Sequence, residues 1–139
     1  MMKKRLTSLA LSAMMVLSMV PATAFAAKDA GTPPTYNSAT GCYEISTPAQ
    51  LLYLAGKWKD GAPRDGHYVL TADIDMTGVK GFKPIASKKD QGFTGTFDGQ
   101  FHSIKGLRVE YEKKYAGLFG YVGNQDDQAY IKNVALLDC

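Results

Sequence analysis

The run SIKGLRVEY at residues 103–111 has an imperfect echo at residues 130–138, YIKNVALLD. Both follow I-K-[GN]-[LV]-x-[VL], with Gly106 or Asn133 set inside an apolar run. The step between them is 131 − 104 = 27 residues, and a similar step back from Ile104 reaches Ile74 in DIDM, where 104 − 74 = 30. Periods of about 20–50 residues mark chains built by stacking like units. A unit of short strands and turns suits a right-handed parallel β-helix, in which each coil adds a rung to each sheet and like positions form an apolar column. The expected fold class is therefore all-β: a parallel β-helix (solenoid) fragment.

The strand pattern extends outward from this pair. HYVLTADIDM (67–76) alternates Tyr68, Leu70, Ala72, Ile74 and Met76 against His67, Val69, Thr71, Asp73 and Asp75, which predicts one strand with one buried face. Further short strands are expected in KPIA (83–86), FTGTF (93–97), FHSIKGLRVEY (101–111) and AGLFGYV (116–122). Gly, Asn and Asp punctuate the gaps, and no helical periodicity follows Gly66. Upstream, CYEIS (42–46) reads as a strand. STPAQLLYLAGKW (46–58) opens with Thr47 as N-cap, Pro48 at the first helical position and Gln50 three residues after the cap. Leu51, Leu52, Leu54, Ala55 and Trp58 continue an apolar face, predicting a helix over 48–59. An open coil exposes unpaired backbone and apolar interior, so this short helix suits an N-terminal cap. The chain reaches its end at ALLDC inside a strand pattern. The expectation is an N-terminal piece of a longer protein, or capping by something else, including self-association at the open C-terminal coil.

Residues 1–26 read as a signal peptide. Lys3, Lys4 and Arg5 precede an apolar run at 6–20, Pro21 breaks it, and Ala24-Phe25-Ala26 is a small-x-small exit. The apolar run is short of the about 20 residues of a membrane span, and cleavage is expected after Ala26. Residues 27–41, with Pro33-Pro34 and Asn37-Ser38, read as a flexible leader. The β-helix domain is expected at 42–139. Of 16 Lys+Arg and 13 Asp+Glu, three basic residues leave with the signal, so 16 − 3 = 13 balance 13. That balance argues against nucleic acid or an anionic membrane as partner. Cys42 and Cys139 are too few for a structural zinc site. As first-rung and last-rung residues they would sit too far apart for a disulfide.

Phe93 to Leu107 gathers Thr94, Thr96, Asp98 and His102. An Asp98–His102 acid–base pair is one reading. A turn at Asp98-Gly99 beside a solvated histidine is favoured, because no second carboxylate or arginine joins them. Asp73 and Asp75 share one strand face, yet two carboxylates fall short of the 6–8 oxygen ligands that calcium takes. They are expected to solubilise that face or bond the next turn. Tyr43, Tyr53, Tyr68, Tyr111, Tyr115, Tyr121 and Tyr130 are open to two readings, sheet packing or a binding platform. Lys88-Lys89, Lys113-Lys114 and Arg108 look scattered and are expected to solvate turns. No catalytic residue, cofactor site or metal site is expected.

YEISTPAQLLYLA, YVLTADIDMTG, FTGTFDGQFHSIKGLRV and AGLFGYV…YIKNVAL occur here in that order. Over residues 43–137 the chain resembles the GLUG-motif β-helix regions of bacterial surface proteins. Their Gly-Leu-x-Gly stands here as Gly117-Leu118-Phe119-Gly120. Similar regions precede the catalytic domain of some bacterial immunoglobulin A metallopeptidases. The resemblance implies a secreted or cell-surface structural or adhesive module, non-catalytic by itself, with a host or cell-wall glycan or protein as ligand. It also leaves open an accessory N-terminal region of a secreted enzyme, a metallopeptidase or a polysaccharide-acting β-helix. His67 and His102 do not begin an H-E-x-x-H motif, so peptidase chemistry or a wall anchor would lie beyond Cys139.

Overall fold

The computed structural model describes residues 31–56, 58 and 61–139. The signal peptide read at 1–26 lies outside the described residues. Among the described residues eight short strands form two sheets. β1 (Thr35–Asn37), β2 (Cys42–Ile45), β3 (His67–Leu70), β5 (Thr96–Asp98) and β7 (Tyr130–Lys132) make one, in that order. β4 (Ile74–Asp75), β6 (Ser103–Lys105) and β8 (Ala135–Leu137) make the other. The only α-helix among the described residues is α1 (Pro48–Tyr53). The architecture is all-β, and neither sheet closes into a barrel.

Among these strands all pairings are parallel except β1 on β2. Tyr43 aligns with Tyr68, Tyr68 with Phe97, and Phe97 with Ile131. In the second sheet Ile74 aligns with Ile104, and Ile104 with Leu136. Outside the strands, single parallel bridges join Gly56 to Ile85, Ile85 to Phe119, and Phe93 to Val122. The pieces read as strands at KPIA and AGLFGYV contribute these bridges instead of extended ladders.

The register corrects the sequence alignment of 103–111 with 130–138. The step from Ile74 to Ile104 is the expected 30. Ile131 does not align with Ile104, however. It aligns with Phe97, a step of 131 − 97 = 34, while Leu136 aligns with Ile104, a step of 136 − 104 = 32. Asn133, at φ 55°, lies between β7 and β8, which belong to different sheets. Similarly, HYVLTADIDM is two strands, broken at residues 71–73. Its faces are as read: Tyr68, Leu70, Ile74 and Met76 are buried, whereas His67, Thr71, Asp73 and Asp75 are exposed.

The helix starts as its sequence dictates. Thr47 is extended (φ −133°, ψ 153°), its side-chain oxygen accepts from Gln50 N–H, and Pro48 follows. Gln50 Oε1 returns to Ser46 N–H at 2.8 Å, one residue before the cap. The helix ends short of the predicted residue 59 because Gly56, at φ 82°, leaves it and donates to Pro84 O at 3.1 Å. Trp58 therefore lies off the helix; its ring nitrogen donates to Gln91 O at 2.8 Å and its ring packs on Phe93. The leader reading is also corrected in part: Thr35–Asn37 pairs with β2, and Thr32 N–H donates to Ala49 O.

The core lies between the sheets and the bridge segments: Ile45, Tyr68, Leu70, Ile74, Phe82, Ile85, Phe93, Phe97 and Ile104 are all almost fully buried. Among the described residues β7 and β8 are edge strands, each paired on one side. Ile131 is 40% exposed and Leu136 48%, though they continue the columns of Phe97 and Ile104.

Gly95 lies so close beneath the preceding coil that a β-carbon there would overlap the Gly66 carbonyl oxygen, which accepts from Thr96 N–H. Gly95→Ala should therefore cost about 1–3 kcal/mol by overpacking. Phe97→Ala should cost about 3–5 kcal/mol by leaving a cavity in the column. Phe101→Ala, at a side chain 87% exposed, should stay within about 0.5 kcal/mol. Urea unfolding measures all three, and equal losses would contradict the assigned interior.

Candidate functional site

The chemistry-bearing side chains gather where each coil passes from the larger sheet to the smaller. Asp98 ends β5. Its Oδ1 accepts from Gln100 N–H at 2.9 Å, the self-bonding turn that its position before Gly99 predicts. The same oxygen accepts from Asn133 Nδ2 at 3.0 Å, and Lys132 Nζ approaches Oδ2 at 3.5 Å. Asp98 is thus tied to the next coil.

Asp98 and His102 do not pair. His102 Nδ1 lies 3.3 Å from Asp73 Oδ1 on the previous coil, and the same oxygen accepts from Ser103 N–H at 2.9 Å. Asp75 accepts from Thr77 N–H at 2.9 Å. Each carboxylate therefore binds an N–H at a turn or at the start of the next strand. Those bonds favour the charged form. The Ser103 N–H, then the His102 ring, hold the Asp73 carboxyl below the usual range. Thr77 does so for Asp75, and Gln100 N–H followed by the Asn133 amide for Asp98. The arrangement can clamp corners; it brings no nucleophile and base together. Among the described residues no group of three or more His, Cys, Asp or Glu could hold a metal ion. Cys42 and Cys139 are both free thiols.

The tyrosines divide. Tyr36, Tyr43 and Tyr68 form a ladder with ring centroids 4.9 and 5.2 Å apart. Tyr68 is fully buried, and its hydroxyl donates to Pro63 O at 2.7 Å. Burial, reinforced by Tyr43, pushes that phenol far above its ordinary range. Tyr111 is half-buried and donates to Ser87 O at 3.2 Å. Tyr115 and Tyr130 stay exposed, and Tyr115 meets Tyr121 edge to face at 5.2 Å. The named tyrosines therefore form no single platform.

The lysines also depart from their sequence reading as scattered. Lys88 and Lys113 line one groove together with Lys83, which nothing in the sequence singled out. Their positions 83, 88 and 113 share no period, so only the fold shows that they meet.

Halomucin of Haloquadratum walsbyi is 33% identical to this chain over an alignment of 111 residues that covers 70% of the chain. The chain spans about 1% of the length of that curated relative. No family model matches the chain, so the GLUG resemblance rests on the motifs alone. No solved structure matches it significantly. No helix among the described residues is long and apolar enough to cross a membrane.

The corner bonds predict a pH signature. Carbon-13 titration should place the Asp73, Asp75 and Asp98 midpoints below 3.8, the ordinary carboxyl value. His102→Ala should raise the Asp73 midpoint only partly, because Ser103 N–H is the larger cause. Carboxyls depressed in the folded state stabilise it fully above the unfolded value of about 3.9 and lose that contribution as pH falls through the folded midpoints. The melting temperature should therefore decline on acidification only below that value. Midpoints at or above 3.8 would show that the corner bonds do not form.

Proposed function

We propose that this chain is a segment of an exported bacterial surface protein, folded as a right-handed parallel β-helix and serving as a structural or adhesive module without catalysis of its own. The observation that supports it most is the pair of parallel ladders. Tyr43, Tyr68, Phe97 and Ile131 follow one another in one sheet, and Ile74, Ile104 and Leu136 in the other. Successive coils that return in register to two sheets are how a solenoid buries a continuous interior. Such a body is stiff and extends by adding coils, which suits a stalk or scaffold at the cell surface.

The polar groups fit the same reading. The corner carboxylates are occupied by backbone and by neighbouring coils, which is structural use. The similarity to Halomucin is in keeping with a surface or secreted protein. The basic n-region, apolar run and Ala24-Phe25-Ala26 exit supply the route of export.

Fractionation of the source cells tests the reading. The mature protein should appear in the wall or medium fraction, react with a membrane-impermeant label in intact cells, and begin at Ala27 on N-terminal sequencing. Retention in the cytoplasm with Met1 intact would overturn it.

A further inference from the structure

Lys83, Lys88 and Lys113 line one open-sided groove of about 380 Å³. Ala55 and Gly56 form part of its wall, with Ser87 and Tyr111. The fold builds this groove from three segments, two of which carry the lysines. Gly56 N–H donates to Pro84 O at 3.1 Å, and Ser87 N–H to Gly56 O at 3.4 Å, which seats residues 83–87 against 55–56. The Tyr111 hydroxyl bonds Ser87 O and brings the segment carrying Lys113 alongside.

Among the described residues no acidic side chain lines this groove. Asp90, Glu110 and Glu112 are close in sequence, yet none of them lines it. The ion pairs among the described residues are His102–Asp73 and Lys132–Asp98, and neither involves these three lysines. Like charges facing one concavity raise its potential and concentrate anions there. Ammonium groups act as compact point charges on flexible stems, so they suit separated anionic groups better than one planar fork. Tyr111 adds an aromatic body with its polar tip already bonded. The volume lies within the about 300–1,000 Å³ of small-molecule sites.

We propose that this groove binds an acidic saccharide, a short stretch of carboxylated sugar whose carboxylates meet Lys83, Lys88 and Lys113 while a ring lies against Tyr111. The inference deepens the surface-module reading and rests on it for the choice of an extracellular glycan. The convergence of the lysines is independent of that reading.

Calorimetric titration of the whole secreted chain tests it, with trigalacturonate as the probe, a neutral galactose trimer as one control and triglutamate as another. Trigalacturonate should bind, more weakly as salt rises from about 0.05 to 0.3 M, and the neutral trimer should not. The combined variant Lys83→Gln, Lys88→Gln, Lys113→Gln should weaken binding by roughly tenfold or more. Tyr111→Ala should weaken it further than Tyr111→Phe. The three lysines are exposed, so these variants should keep the parent's cooperative melt. Absence of trigalacturonate binding to the folded parent, or undiminished binding by the triple lysine variant, would overturn the site. Equal binding of triglutamate would overturn the saccharide assignment. A folded, surface-located chain that fails to bind sinks the groove and spares the module; binding by a chain retained in the cytoplasm does the reverse.

Discussion

The structure depends on parallel backbone pairing that brings later strands back beside earlier ones. From Tyr43 to Tyr68 the chain takes 25 residues to return, from Tyr68 to Phe97 it takes 29, and from Phe97 to Ile131 it takes 34. Unequal coils still meet in register because the added length lies outside the ladders. In the longest coil it falls in the exposed stretches 112–116 and 124–128. Surface loops lengthen at small entropic cost, whereas a one-residue slip in a strand would turn its apolar set outward. The ladders are therefore held constant while the loops vary.

Corners are the second requirement. Gln100, Phe101 and Asn133 all take positive φ without being glycine, a conformation disfavoured for L-residues. Backbone bonds offset that strain: Phe101 N–H donates to Asn133 O, and Gly99 N–H to Lys132 O, both at 2.9 Å. Asp98 adds a side-chain tie to Asn133 at the same corner, and Asp73 adds ties to His102 and Ser103 at the one before it. Polar residues that resemble a reactive cluster in the linear sequence thus serve to hold corners, and the groove that could take a ligand lies elsewhere, on the lysine side.

Much of the fold was legible because it rests on local pattern. The alternation through residues 67–76 named the buried face, and the capping residues Thr47, Pro48 and Gln50 located the helix start. The register of the last coil was not legible. Ile131-Lys132 copies the letters of Ile104-Lys105 but occupies the place of Phe97-Asp98; Gly106 and Asn133 both take positive φ, so the local pattern is the same at the end of a strand of either sheet. Sequence likeness aligned residues of similar chemistry, whereas backbone pairing aligned residues at equal distance from a corner. The lysine groove was hidden for a related reason: its three charges come from two segments far apart in sequence, which the Glu110–Phe82 and Tyr111–Ser87 bonds bring together. The clamp of His102 onto Asp73 is not legible locally because the two residues stand 29 apart in the chain.

The register of the last coil tests the account most directly. Backbone amide and α-proton NOEs should connect Ser103–Lys105 with Ala135–Leu137, and Thr96–Asp98 with Tyr130–Lys132. NOEs from Ser103–Lys105 to Tyr130–Lys132 in place of these would restore the 27-residue step and contradict the two-sheet stack.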